Sequence, residues 1–361
     1  MQMRRTLLLC LALAVALPAG AAERTLELRL DQALPVQIHN LAGSARLVPG
    51  AGELVIRATV HADRQELADA VRLVTRERRG VLEMVVEYPA DVSRIRYDGE
   101  EFRRLDATVE YQGRRMRVTS SGGERLRVDL EIEVPADSEL GLHQRVGSAT
   151  AEQVRADLVL AARYGRVRVT DGVGRLRADT GSGSIGITGF RGDVAADTGS
   201  GSVSIENVLG KVSADTGSGS VTLRGIDGDI VADTGSGGVR LHDVVGSIRV
   251  DTGSGSVRGK GLVVGPILDI DTGSGGVSLE GDLGAVRDLV VDTGSGGVTL
   301  QSTAALSLRL HLSTGSGGIR VDVPALSDVT SGRRSFRGVA GAGEGTARIS
   351  TGSGGIRISA Q

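Results

Sequence analysis

Hydrophobic and polar positions alternate along most of this chain, and from Leu176 onward they do so in a block that recurs. In one copy Val212 and Ala214 point one way and Ser213 and Asp215 the other, then Thr216 to Gly219 turns the chain. Val221 and Leu223 then point inward, Thr222 and Arg224 outward, and Gly225 to Gly228 turns it again. Two short strands cannot bury an apolar face alone, but stacked copies can. Each copy is built on DTGSG, starting at Asp179, Asp197, Asp215, Asp233, Asp251, Asp271 and Asp292 and decaying to STGSGG at Ser313 and Ser350. The starts lie 18, 18, 18, 18, 20, 21, 21 and 37 residues apart. This predicts an all-β chain, a parallel β-solenoid of 18 to 21 residues per coil with a core of Val, Ile, Leu and Ala. The longer coils break the hexapeptide phase of a left-handed β-helix, which favours a right-handed helix or flattened β-roll.

Upstream, alternation over residues 25–61 predicts strands separated by turns. One short helix is expected over 63–78, capped by Asp63 with Glu66 three residues later, and covering one end of the solenoid. Val81 to Tyr88 reads as a strand. Residues 89–125 break the rhythm: they are rich in Arg, hold three of the seven aromatic rings, and suggest a protruding hairpin around Gln112 and Gly113. Long excursions from a regular scaffold often carry function, which makes Arg103, Arg104, Tyr111 and Arg114 candidate ligand contacts. The competing reading is a self-paired surface hairpin. Degenerate repeats place the solenoid over 140–361, after an N-terminal β-rich region at 23–139 and with an excursion at 324–346.

The first residues, a charged Met1 to Arg5, an apolar Leu7 to Leu17 and small residues at 18–22, have the form of a signal peptide over 1–22. The expected address is therefore extracytoplasmic: the periplasm foremost, with surface retention or release as alternatives. The apolar run is too short for a membrane span, and no transmembrane segment is expected in the mature chain. Cys10 is the sole cysteine and leaves with the leader, so no disulfide is expected. Loss of Arg4 and Arg5 leaves 40 basic residues of the original 42 against 44 acidic ones, a balance that does not favour nucleic acid.

The leader, the alternating N-terminal strands, the EVPADSEL segment from Glu133 to Leu140 and the recurrent ADTGSGSV unit together resemble the bacterial "putative adhesin" family of extracytoplasmic β-strand-repeat proteins. That resemblance implies a β-solenoid and an adhesin-like role, and it brings no catalytic residues with it.

An apolar pair before DTGS, as in Ile230 to Ser236, also resembles the catalytic aspartate segment of pepsin-like proteases. Those enzymes need two carboxylates sharing one proton. Seven copies one strand apart do not supply that pair. A ladder of Asp179, Asp197, Asp215, Asp233, Asp251, Asp271 and Asp292 could instead stabilise a roll through Ca²⁺, although the bland expectation is that each Asp accepts hydrogen bonds from its own turn. Outward residues of consecutive coils set Arg224, Arg240, His242, Arg258 and Lys260 in a basic stripe, with Arg249 on the adjoining strand. Such a stripe suits an anionic glycan or an envelope protein. The expected function is thus a non-enzymatic binding or scaffold protein without a cofactor; the alternatives are a glycan-active β-helix enzyme and a Ca²⁺-stabilised roll.

Overall fold

The computed structural model describes residues 12–14, 21–30, 34–99, 102 and 104–361. The expected leader falls on residues 1–22, of which 1–11 and 15–20 lie outside the described residues. The chain forms two compact units, residues 1–186 and 187–361. Among the described residues no helix is long and apolar enough to cross a membrane.

The second unit is a parallel β-solenoid in which each coil gives two strands. On the first face Val194–Thr198, Val212–Thr216 and Ile230–Thr234 pair in register, continued by the later halves of Val239–Thr252 and Val257–Thr272. On the second face the ladder runs through Val203–Leu209 and Val221–Asp227 to Val277–Asp282 and Val298–Ser302. Period-two alternation buries Ala214, Leu223, Ile230 and Ala232 between the faces and turns their neighbours outward.

The coils do not stack in sequence order at the C-terminal end. Gly345–Thr351 pairs in parallel with both Asp288–Thr293 and Leu308–Thr314. Ile356–Ala360 likewise lies between Val298–Ser302 and Ile319–Asp322. The last coil in the sequence is therefore inserted one coil in from the end. The excursion at 324–346 supplies the hairpin Leu326–Ser331 and Ser335–Ala340, whose second strand pairs antiparallel with Leu308–Thr314 and covers that edge.

The first unit uses the same device. Val36–Ala42 pairs in parallel with Ser138–Val146 on one side and Val81–Glu87 on the other. Ala45–Gly50 lies between Ala149–Glu152 and Glu124–Pro135. Residues 36–50 thus form a coil of their own, so parallel coil pairing starts at Val36, ahead of the boundary at 140. Antiparallel strands cover the end: Arg72–Arg78 pairs with Val81–Glu87, and Leu54–Ala62 joins Glu124–Pro135 to Ala22–Leu30.

Two expectations need correction here. The helix covers only Gln65–Ala70, and the residues expected to continue it form the strand Arg72–Arg78. Arg79 and Gly80, at φ 53° and 77°, set a two-residue hairpin turn that pairs Leu73 with Val86. Asp63 does not cap the helix: its carboxylate accepts from Arg96 at 3.0 Å and from the Arg125 amide at 2.9 Å. The hairpin around Gln112 and Gly113 is present as Asp106–Tyr111 and Arg114–Thr119, but it does not protrude. Arg94–Arg96 pairs alongside it, and Ala107, Val109, Tyr111, Met116 and Val118 are buried.

Candidate functional site

The repeated motif is a corner, and its polar anchor is Thr. Thr234 is fully buried; its hydroxyl donates to Gly219 O at 2.9 Å in the coil before and accepts from Gly237 N at 3.0 Å in its own turn. Thr216 and Thr252 repeat the arrangement. The expectation that Asp secures the turn is not met: among the described residues Asp215, Asp233, Asp251, Asp271 and Asp292 accept no hydrogen bond from their own turns, and all are exposed. The glycines are required by coil-to-coil approach. A Cβ at Gly219, Gly237 or Gly255 would lie 1.7–1.8 Å from the carbonyl oxygen of its counterpart in the preceding coil, and none of the three has a left-handed φ.

Asp197, Asp215, Asp233, Asp251, Asp271 and Asp292 form a line of carboxylates one strand apart on the first face. Partial burial, then repulsion from Asp197 and Asp233, raises the pKa of Asp215; burial, then Asp251, Asp292 and Asp269, does the same to Asp271. Among the described residues no three His, Cys, Asp or Glu side chains converge on a position that could hold a metal ion. Arg249 belongs to this acidic face, beside Val231 and Asp269 in a recess with Asp233, Asp251 and Asp271.

The remaining stripe residues come together on the second face. Arg240 pairs with Arg258, His242 with Lys260, and Arg224 with His242. Glu206 and Glu280 stand at the two ends, beside Arg224 and Lys260. Arg224, Arg240, Arg258 and Lys260 are exposed, and within the described residues none has an ion-pair partner.

A groove of about 600 Å³ lies on the outward face of the first unit. One column of that face reads His39, His143, Ala161 and Asp179, and the next reads Gln37, Gly141, Val159 and Arg177. Arg145, Arg163 and Tyr164 close the side. The rings of His39 and His143 stack at 4.8 Å and 12°. Gly141 leaves room for Gln37 to cross its strand, since a Cβ there would lie 2.0 Å from Gln37 Oε1. That oxygen lies 2.6 Å from His143 Nε2, a hydrogen bond in the tautomer that carries its proton on Nε2. Burial, then His39 and Arg145, lowers the His143 pKa to about 4, and burial lowers that of His39. Both shifts favour the neutral imidazole.

The profile of the family described as Toastrack DUF4097 matches residues 108–359. The chain belongs to the Toastrack DUF4097 family. No curated protein matches it. A solved structure described as a "putative cell adhesion protein" from Clostridium sporogenes ATCC 15579 aligns over 93% of the Toastrack chain and 99% of its own, at 10% identity and a TM-score of 0.17.

Several residues of the Arg-rich segment of this Toastrack chain are engaged in its own packing. The buried Tyr111 hydroxyl donates to Val86 O at 2.7 Å, with His39 O at 3.0 Å, and burial pushes its pKa well up. Arg114 donates to the carbonyls of Pro89, Ala90 and Val92 at 3.2, 2.7 and 2.7 Å. Arg117 makes a two-pronged bond to Asp106 at 2.8 and 2.6 Å. Arg104 is exposed, and Arg103 lies outside the described residues.

Sequence reasoning missed the groove, although a signal existed. His39-Asn-Leu-Ala-Gly-Ser-Ala45 and His143-Gln-Arg-Val-Gly-Ser-Ala149 are two copies of one pattern, and they stack in register.

Proposed function

We propose that this Toastrack chain is a non-enzymatic extracytoplasmic binding scaffold whose basic stripe docks an anionic glycan of the cell envelope. One observation carries the reading: Arg240 lies opposite Arg258, and among the described residues neither has an ion-pair partner. Like charges on facing strands destabilise a sheet, and a polyanion laid across them removes that cost. The leader pattern supports the address. The Arg-rich segment, by contrast, has already used Tyr111, Arg114 and Arg117 internally. Glycan cleavage needs two carboxylates flanking a cleft, and the groove of the first unit has one among its described lining residues, Asp179.

The test is binding of the mature protein to soluble uronate-rich and neutral polysaccharides. Selective binding to the acidic polymer that weakens with added salt supports the reading, and equal binding to the neutral polymer contradicts it.

A further inference from the structure

We infer that the outward face of the first unit holds a discrete seat for an acidic sugar, its anionic group held by Arg145, Arg163 and Arg177 above a floor at Ala161. The seat is separate from the basic stripe, which belongs to the other unit, and either can fail without the other.

Shape comes from residue size. In the column His39, His143, Ala161 and Asp179, one methyl group stands between an imidazole and a carboxylate, so the sheet surface dips at Ala161. The resulting groove, about 600 Å³, exceeds what an inorganic ion needs and falls in the range of small-molecule sites.

Charge comes from the walls. Arg145, Arg163 and Arg177 line the groove, and among the described residues none of them has an ion-pair partner. Some arginines elsewhere in the same unit are matched, Arg57 with Glu27 and Glu133, Arg125 and Arg127 with Asp98. With both imidazoles neutral, three guanidiniums face one carboxylate, which leaves an excess of two positive charges for an oxyanion. Guanidinium forks suit a carboxylate in two-pronged geometry. Asp179, Gln144 and Ser182 also line the groove, a mixed lining that suits the hydroxyls of a sugar ring.

The experiment is calorimetric titration of the full mature chain with glucuronate, glucose and inorganic phosphate. Glucuronate is expected to bind saturably, glucose at least tenfold more weakly, and phosphate to compete with glucuronate. Arg163 and Arg177 are exposed, so Arg163→Gln with Arg177→Gln should keep the melting temperature while lowering glucuronate affinity at least tenfold. Ala161→Leu keeps every charge, fills the floor and should lower affinity as well. A carboxylate in the seat should also raise the His143 pKa from about 4, against the opposing influence of His39 and Arg145, with Gln37, Arg163, Arg177 and Asp179 as the other groups around it and Glu83 acting on His39. NMR titration with and without ligand reads that shift. The inference is overturned by glucose binding as well as glucuronate, by absence of saturable glucuronate binding, by phosphate binding alone, or by Ala161→Leu binding like wild type.

Discussion

Thr314 donates its hydroxyl hydrogen to the carbonyl of Gly354 at 2.8 Å, although Gly354 lies 40 residues further along the chain. Thr351 in turn donates to Gly296 O at 2.8 Å, 55 residues back. The coil of Ser350 therefore sits between those of Asp292 and Ser313, with a partner strand on both sides. Amides of Gly345–Thr351 should exchange as slowly as those of Ile230–Thr234, whereas Leu326–Ser331, an exposed edge strand, should exchange fast. Fast exchange over 345–351 would contradict the inserted order.

Thr216, Thr234 and Thr252 each join two coils through one hydroxyl, whereas Thr272 and Thr293 donate within their own turns, to Gly275 O and Gly296 O. Thr234→Val keeps the shape but leaves Gly219 O and Gly237 N–H unpaired in a part-buried position, at a cost of about 1–3 kcal/mol in denaturant unfolding. Thr234→Ser, which restores the hydroxyl, should recover most of it.

The corner glycines respond to crowding. Gly237→Ala would place a methyl 1.7 Å from Gly219 O, with backbone and no flexible side chain in the way, and should destabilise the protein by about 3 kcal/mol or more. Gly318→Ala meets nothing within 4 Å and serves as the control, expected within about 0.5 kcal/mol of wild type.

The repeat was legible in the sequence because its period and its alternation agree at every copy: Ala214, Leu223 and Ala232 are core, and Ser213 and Asp215 are outside, as the pattern requires. Coil order was not legible. Near-identical coils present the same faces up and down, so any order satisfies the hydrophobic pattern, and only the 37-residue gap before Ser350 marked the departure. The segment 72–78 misled because Val71 and Val74 fit a helical face, while the hairpin depends on two left-handed residues, one of them Arg79. The groove escaped notice because its floor is defined by Ala161, a residue without chemistry of its own, and its walls come from separate coils.

The Asp ladder has a predictable pH signature. The pKa of Asp215 and Asp271 is raised in the folded state, so their protonated forms are favoured on folding. The stability this linkage provides is present below the unfolded carboxylate pKa and is lost as pH rises through the folded value. Asp215→Asn and Asp271→Asn should therefore each raise the melting temperature at neutral pH and low salt. The gain is bounded by about 1 kcal/mol per neighbour in a water-like dielectric, and should fade in molar salt. An unchanged or lowered melting temperature at low salt would show that the ladder is not self-repelling.

The proposed recognition surface lies on the outward faces of the repeats and not in the Arg-rich segment. The most direct measurement compares binding of an acidic envelope polysaccharide to wild type, to Arg240→Glu with Arg258→Glu, and to Arg104→Glu, all three checked for equal melting temperature. All three positions are exposed, so folding should not separate them. Stripe reversal is expected to lower affinity at least tenfold, and Arg104→Glu to leave it within twofold. Wild-type affinity after stripe reversal, with loss in Arg104→Glu, would contradict the proposed surface.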